Sequence, residues 1–570
     1  MSTLSEAEGA SAATPLRASN PNYTDGEGSP SMEYTPLTSI AGVVHEAREI
    51  YSANLTRPYQ FRADQLRGIE RLVIDNADAI TAAVADDLGQ GPMYVEAFEL
   101  TNVRNHARNA LSELRGWMAA RREPTPFPVN LNVPIRSELS PNPRGVALIV
   151  TPWNMPVNLV FNPLIYALAA GNVCVLKMSE RSVHCTKLFT ELLTSGEYVD
   201  PRAVRVVNGG AKETTELLKQ RFDAIMYTGG VQVGRIVAKA AARNLTPVLL
   251  ELGGKNPVFV TKNAHLPSAA LRIAWGKISG NTGQMCLCPD YVLVEESVRE
   301  EFTNELCKAM DQMYPASTYS NGGGGDVGKM ISVQHAERVV GLLDSTCDII
   351  YGGKQHNVNE RFVAPTIVEA TADSTIMKEE IFGPILAIVG VPSVEGGIEF
   401  VNEHFTSKGE HPLVLYIFST SNDERRRIME AVPSGTCAIN EVLKQSANYH
   451  LPFGGVGDSG MGSYYGKFGF DFFSHYRGSL VGDNYSASGW DPSVWVTHPP
   501  YDERKLFAFR CLGKVPLILD RLKRLIPVLK AVIPIGFALA SVFNPSILDA
   551  VLELNLMTIL KWISQILTGR

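Results

Sequence analysis

The chain lacks several things that would have placed it early. It has no basic surplus: its formal net charge is −7 over 570 residues, where a dedicated nucleic-acid binder would carry a basic face. Its eight cysteines show no zinc-type C-x-x-C; the tightest pair, Cys286-Leu287-Cys288, is too close for that pattern. No metal site is expected. No internal repeat is evident, which sets aside solenoids and propellers. The first 34 residues hold no apolar core of the kind a signal peptide needs. They are rich in Ser, Ala, Gly, Pro and Glu and read as a disordered tail. Reduced, intracellular thiols are the natural expectation.

What remains is a long chain, 45% hydrophobic and only 19% charged, enough for two or three buried cores. Residues 36 to about 122 show apolar residues at i, i+3 and i+4, as in Leu66-Arg-Gly-Ile-Glu-Arg-Leu-Val, and read as helical. A proline-rich break with Pro124, Pro126, Pro128 and Pro134 follows, then an alternating segment, 136–140, suited to a hairpin arm. From Gly145 the pattern changes. Val146–Val150, Val173–Leu176, Ala203–Val207 and Ala224–Tyr227 are short apolar runs separated by helix-length pieces. Such alternation predicts a parallel sheet covered on both faces. A second α/β block runs from about 252 to 446.

Two glycine-bearing loops carry the chemistry. Asn281-Thr282-Gly283-Gln284 delivers Cys286 just before the strand formers Tyr291-Val-Leu-Val294, with Cys288 two residues on. Upstream, Glu251 is followed at once by Gly253 and Gly254. A thiol and a carboxylate placed this way suggest covalent catalysis followed by attack of water; on residues alone, either cysteine fits. Tyr227-Thr228-Gly229-Gly230-Val231-Gln232-Val233-Gly234 leaves a strand and opens a helix, the context in which backbone amides meet phosphates. Lys177-Met178-Ser179-Glu180 also leaves a buried strand, and by itself reads equally as a salt-bridged helix start.

Taken in order, TPWN (151–154), KMSE (177–180), YTGGVQVG (227–234), LELGGKNP (250–257), GQMC (283–286), EEIFGP (379–384) and the stretch 451–475 resemble the aldehyde dehydrogenase superfamily. They are most similar to its class 3 branch, which includes membrane-anchored fatty aldehyde dehydrogenases. The resemblance spans residues 36 to about 490. It implies an α/β fold: a Rossmann-like cofactor domain (35–122 and 145–251), a catalytic domain (252–455) and a small β oligomerisation arm (123–144 and 456–485). The N-terminal tail (1–34) and a C-terminal tail (486–570) flank these.

The resemblance assigns the attacking thiolate to Cys286, with its pKa lowered locally. It gives Asn154 and the Cys286 backbone N–H to the oxyanion, and the activation of water to Glu251. Cys288 becomes a neighbour in a space where relatives carry a small residue. For the cofactor it places Lys177 and Glu180 on the adenosine ribose, Gly229 to Gly234 under the pyrophosphate, and Glu380 with Phe382 at the nicotinamide end; Trp153 and Thr228 are also given to cofactor binding. The Glu180 carboxylate favours a free 2′-hydroxyl, hence NAD, with NADP also open. Met178 stands where the family usually has proline, and Gly230-Val231-Gln232 replaces small polar residues; both bear on the grip on cofactor. Phe470–His475 reads as an aromatic strand that, by resemblance, joins the hairpin near 136–144 across a homodimer. Trp275 is a candidate for the substrate funnel or an ordinary core tryptophan.

The far end is different in kind. Basic residues gather between Arg504 and Lys530, an uncharged run follows from Ala531 to Phe543, and Leu548, Leu552, Leu556, Ile559, Ile563 and Ile566 recur at helical spacing. The run is short of the about 20 residues a span wants, so a spanning helix, an interfacial hairpin and two helices docked on the globular body are all open. The segment 515–529 is, by analogy, a candidate gate over the substrate tunnel. The expectation is an enzyme held at a membrane, its catalytic part in the cytosol at the endoplasmic reticulum or another organelle. Its substrate would be a long-chain fatty aldehyde, or an apocarotenal or other isoprenoid aldehyde. A semialdehyde or CoA-acylating dehydrogenase and a non-catalytic scaffold are the remaining alternatives.

Overall fold

The computed structural model describes residues 32–126, 135–319, 326–482 and 498–511. The predicted alternation becomes a six-stranded sheet. Its strand order is Gly460–Met461, Val248–Leu252, Ala224–Gly229, Val146–Val150, Val173–Lys177, Val204–Val206. All pairings are parallel except the short Gly460–Met461 edge. The inner strands are buried along their lengths, as their unbroken runs of Val, Ile and Leu require when helices cover both faces.

The chain starts this sheet in the middle, at Val146–Val150. It winds outward to Val204–Val206, then returns to the other side of its first strand. The strand order therefore reverses between Val146–Val150 and Ala224–Gly229, and a crevice opens beyond the carboxyl ends of those two strands. The loops at those ends are 151–154 and 229–230.

A seven-stranded sheet follows, ordered Asp348–Tyr351, Thr366–Glu369, Ile385–Val391, Tyr291–Glu295, Pro257–Val260, Val414–Phe418, Thr436–Ile439, with only the Asp348–Tyr351 edge antiparallel. Here the loops that matter precede the strands: 281–290 enters Tyr291–Glu295, and 379–384 enters Ile385–Val391. The crevice of the first sheet thus meets strand-entry loops of the second.

The helical reading of 36–122 is realised as Leu37–Ser52, Tyr59–Asp75, Ala77–Leu88 and Thr101–Met118, with a π-helical turn, Val95–Leu100, before the last. A second compact unit comprises residues 119–140 and the described residues from 476. Its three-stranded sheet has the order Arg121–Glu123, Ile135–Pro143, Ser474–Gly482. One expectation needs correction. Residues 470–472 lie in a helix, Gly466–Phe472, not in a strand; Phe470 and Phe473 are fully buried, and Gly469 lies against the Tyr166 ring. The strand that follows pairs with Ile135–Pro143 of the same chain. Among the described residues no helix is long and apolar enough to cross a membrane; the apolar segments at 515–529, 531–543 and 548–566 lie outside them.

Candidate active site

The nucleophile loop is held in an unusual conformation. Asn281, Thr282 and Gly283 have φ of 50°, 55° and 76° in succession. A β-branched residue such as Thr282 rarely enters that region unless its surroundings enforce it. At Gly283 the reason is space as well: a Cβ would collide with the carbonyl of Gly383. Thr282 is held by its hydroxyl, which accepts from the Gly328 N–H at 2.8 Å. Asn281 donates through Nδ2 to the Asn154 carbonyl at 2.7 Å and accepts from Gln90 Nε2 at 2.8 Å.

The carbonyls just beyond are gripped from beneath. Asn256 Nδ2 donates to the carbonyls of Cys286 (2.7 Å) and Cys288 (3.1 Å), while its Oδ1 accepts from the Val414 N–H at 2.9 Å. The Tyr416 hydroxyl donates to the Leu287 carbonyl at 2.7 Å. Asn256 stands in the LELGGKNP motif, yet nothing in the sequence marked it as the clamp on the thiol loop. Tyr416, 129 positions from Leu287, gave no signal at all.

The two thiols part company here. Cys288 is buried and faces the Gly280 carbonyl at 3.2 Å, with its pKa pushed up to about 12 by burial. Cys286 is half-buried and lines two cavities. Its expected lowered pKa is not found. Burial raises it well above the thiol range, and the neighbouring Glu380 and Glu251 carboxyls push the same way. The cause is plain: an apolar pocket with acidic neighbours disfavours a thiolate.

The larger cavity, about 290 Å³, opens at the switch point of the first sheet. Trp153, Asn154, Thr228, Gly229, Glu251, Cys286, Glu380 and Phe382 all line it. Glu251 lies at the end of Val248–Leu252, and both carboxylate oxygens are buried without a partner. Burial pushes its pKa well above the carboxylate range. Asn154 Nδ2 donates to the Gln284 carbonyl at 2.9 Å. An amide NH₂ carries two hydrogens, so that bond orients the group and leaves its second hydrogen for another acceptor.

Glu380 sits beyond Gly253, where any Cβ would strike its carboxylate; burial first, then Asp290, raises its pKa to about 8. Arg338 holds this loop by donating to Glu379 at 2.8 Å and to the Ile381 carbonyl at 2.5 Å. Trp153 stands edge-on to Phe382 (5.6 Å) and His335 (5.3 Å).

Three of the predicted cofactor residues do not line this cavity. Lys177 and Glu180 pair with each other at 3.1 Å. Gly234 lies inside the helix Val231–Ala242, where a Cβ would meet the Leu252 side chain; its visible work is close helix–strand packing.

The smaller cavity, about 110 Å³, reaches Cys286 from the other side. Phe98, Met155, Trp275, Met285, Leu443 and Tyr465 make it largely apolar, and Trp275 is therefore a wall residue. Cys286, Leu159 and Phe453 belong to both cavities. Leu159 and Phe453 were missed, since single apolar residues carry no signal of their place. Among the described residues no cluster of His, Cys, Asp and Glu is placed to hold a metal ion.

Comparison with known proteins agrees with this arrangement. Residues 13–478 match the model of the aldehyde dehydrogenase family. The chain is 40% identical over 449 residues to the dimeric NADP-preferring aldehyde dehydrogenase of Rattus norvegicus, covering 78% of this chain and 95% of that protein. It is 39% identical over 472 residues to aldehyde dehydrogenase family 3 member B1 of Homo sapiens, covering 82% and 96%. Among solved structures, the substrate-bound state of Staphylococcus aureus AldH superposes with a TM-score of 0.77 at 34% identity, covering 83% of this chain and 99% of that one. The match runs through the site and over nearly the whole length of these relatives, so the chain belongs to the aldehyde dehydrogenase family, alongside its family 3 members, as an oxidoreductase acting on aldehydes.

Proposed function

We propose that the protein oxidises long-chain, lipophilic aldehydes, fatty aldehydes foremost, to carboxylic acids at Cys286. The observation that carries this reading is the position of Cys286 where two cavities meet, one largely apolar and one holding an unpaired carboxylate. The aldehyde enters through the apolar throat, Cys286 gives up its thiol proton to water, and the freed sulfur bonds to the carbonyl carbon as the C=O π pair moves onto oxygen. The free hydrogen of Asn154 Nδ2 and the Cys286 N–H receive the oxyanion of the resulting thiohemiacetal. After oxidation the acyl group remains on sulfur as a thioester. Glu251 takes a proton from water, which attacks the thioester, frees the acid and restores the thiol. A carboxyl with a raised pKa suits that work near neutral pH better than an ordinary one.

The larger cavity fits a nicotinamide dinucleotide. It lies at the switch point, it contains the orphaned Glu251, and the Gly229-Gly230 turn leads into the N-terminus of Val231–Ala242, with open space at Gly230. Glu380, Phe382 and Trp153 would hold the nicotinamide end, Thr228 and Gly229 the phosphates, and Lys177 with Glu180 the adenosine ribose. When bound, the nicotinamide accepts the hydride that leaves the substrate carbon. The Glu180 carboxylate favours NAD, and the rat relative is NADP-preferring by name, so use of both cofactors is proposed.

The C-terminal tail supports attachment at an organelle membrane with the catalytic part in the cytosol, and the rat relative, named dimeric, supports a homodimer. Lipophilic aldehydes partition into bilayers, so an enzyme held there meets them at high local concentration. The test is reduced-cofactor formation from hexadecanal, propanal and an apocarotenal, with the full chain and with one ending near Lys505. Hexadecanal should lead and the shortened chain should leave the membrane pellet. Equal efficiency with propanal would refute the long-chain reading, and a shortened chain that still pellets would refute the anchor.

A further inference from the structure

One wall of the throat carries a line of amides whose direction is set from its inner end. In the π-helical turn Val95–Leu100, the Phe98 carbonyl accepts from Asn158 Nδ2 at 3.2 Å. A carbonyl can only accept, so Asn158 must turn its NH₂ toward Phe98 and its Oδ1 away. That Oδ1 accepts from Asn162 Nδ2 at 2.8 Å, and the second hydrogen of the same NH₂ goes to Asn102 Oδ1, also at 2.8 Å. Side-chain amides are often ambiguous about which prong is oxygen; here each link is forced by the one before it. Glu99 fixes the start, its carboxylate accepting from the Asn158 N–H at 2.6 Å at the head of the helix Asn158–Ala170.

The line ends at Asn102. Its oxygen is tied back to the buried Asn162, so its NH₂ lies on the opposite prong, and among the described residues that NH₂ has no partner. Asn102 is half-buried and lines the same cavity as Cys286. An oriented, unspent donor therefore stands in a throat walled mainly by Phe98, Trp275, Met155 and Leu443, where the polar Lys444 and Ser446 are engaged with Glu441 and the Leu443 carbonyl. An all-hydrocarbon chain gives such a donor nothing to bond and covers it from water, at a cost.

We infer that Asn102 is a specificity-determining residue that selects aldehydes carrying a hydrogen-bond acceptor, an ether, hydroxyl or carbonyl oxygen, along the chain beyond the reacting carbonyl. This rests on the proposed aldehyde-oxidising function and narrows its substrate class from lipophilic to lipophilic and oxygenated.

The test uses the full-length enzyme and a set of nonanal analogues in which one chain methylene at a time is replaced by an ether oxygen. An ether oxygen accepts but does not donate, and it is nearly isosteric with the methylene. The wild type should prefer one position of the oxygen over nonanal by about three- to tenfold in kcat/KM, the worth of a neutral hydrogen bond. Asn102→Leu should abolish that preference, and so should Asn162→Leu, which releases the Asn102 amide to turn. Each result is a ratio within one preparation, so a partly unfolded variant still reports. A wild type indifferent to the position of the oxygen, or a preference that survives in Asn102→Leu, overturns the inference while leaving aldehyde oxidation intact. Failure to oxidise nonanal at all would overturn the underlying function, and this inference with it.

Discussion

The two cavities that share Cys286 are finished in opposite ways. In the larger one, Glu251 keeps both carboxylate oxygens buried and unpaired, and Glu380 holds its proton to about pH 8. Along the throat, Asn158 and, behind it, Asn162 direct their NH₂ groups in a fixed sequence, and the Asn162 Oδ1 left over is buried away from the cavity lining. Unpaired buried groups cost stability and are kept where something else is to supply the partner. In the throat the unspent group is a single donor, the Asn102 NH₂, set among largely apolar walls. The contrast separates a face that waits for water and a polar ligand from one shaped for a largely apolar chain.

That contrast can be broken at its hinge first. Cys286→Ser should lower kcat by at least about a thousandfold, since the alkoxide forms far less readily than the thiolate; full activity in this variant would end the covalent reading. Loss of the base on the larger cavity's side should do less. Glu251→Gln should slow steady turnover by about a hundred- to a thousandfold yet keep a rapid burst of reduced cofactor, because only release of the acyl group needs the base. A variant that loses burst and turnover alike would show Glu251 acting before hydrolysis.

The smallest effect is on stability. Glu380 and Glu99 both have pKa raised to about 8, by burial first, from an ordinary 4.5. Between those values the folded protein keeps protons that the unfolded chain has lost. Stability from these groups is therefore complete below about pH 4.5 and falls away as pH rises through about 8. Melting measured across that window should drop less steeply in Glu380→Gln, by on the order of a few degrees at the alkaline end. An unchanged slope would mean that Glu380 is ionised in the folded protein.

How much of this was legible depended on what each residue had to say by itself. The parallel strands were, because unbroken apolar runs such as Val146–Val150, alternating with helix-length pieces, suit a doubly covered sheet. The thiol loop was, because Asn-Thr-Gly-Gln sets a tight turn that delivers a cysteine just before the strand formers of Tyr291–Val294. The polar line on the throat wall was not. Asn158 and Asn162 sit four apart on a helix, the spacing of any helix face, and their meaning comes from Phe98 and Asn102, about sixty positions away in the chain. Phe470–Phe472 misled for a related reason: aromatic content argued for a strand, while packing around Tyr166 won a helix. The raised pKa of Cys286 was not legible either, since burial comes first and the Glu380 and Glu251 carboxyls that add to it are brought in by the fold.

The sharing of only Leu159, Cys286 and Phe453 between the cavities has a consequence for anyone designing molecules against this enzyme. Two compounds, one seated on each side of the sulfur, would not compete for the same atoms, so their inhibition should multiply when both are present. A single electrophile with an arm reaching each way would hold both at once, one arm beside the Asn102 amide and the other beside Glu251.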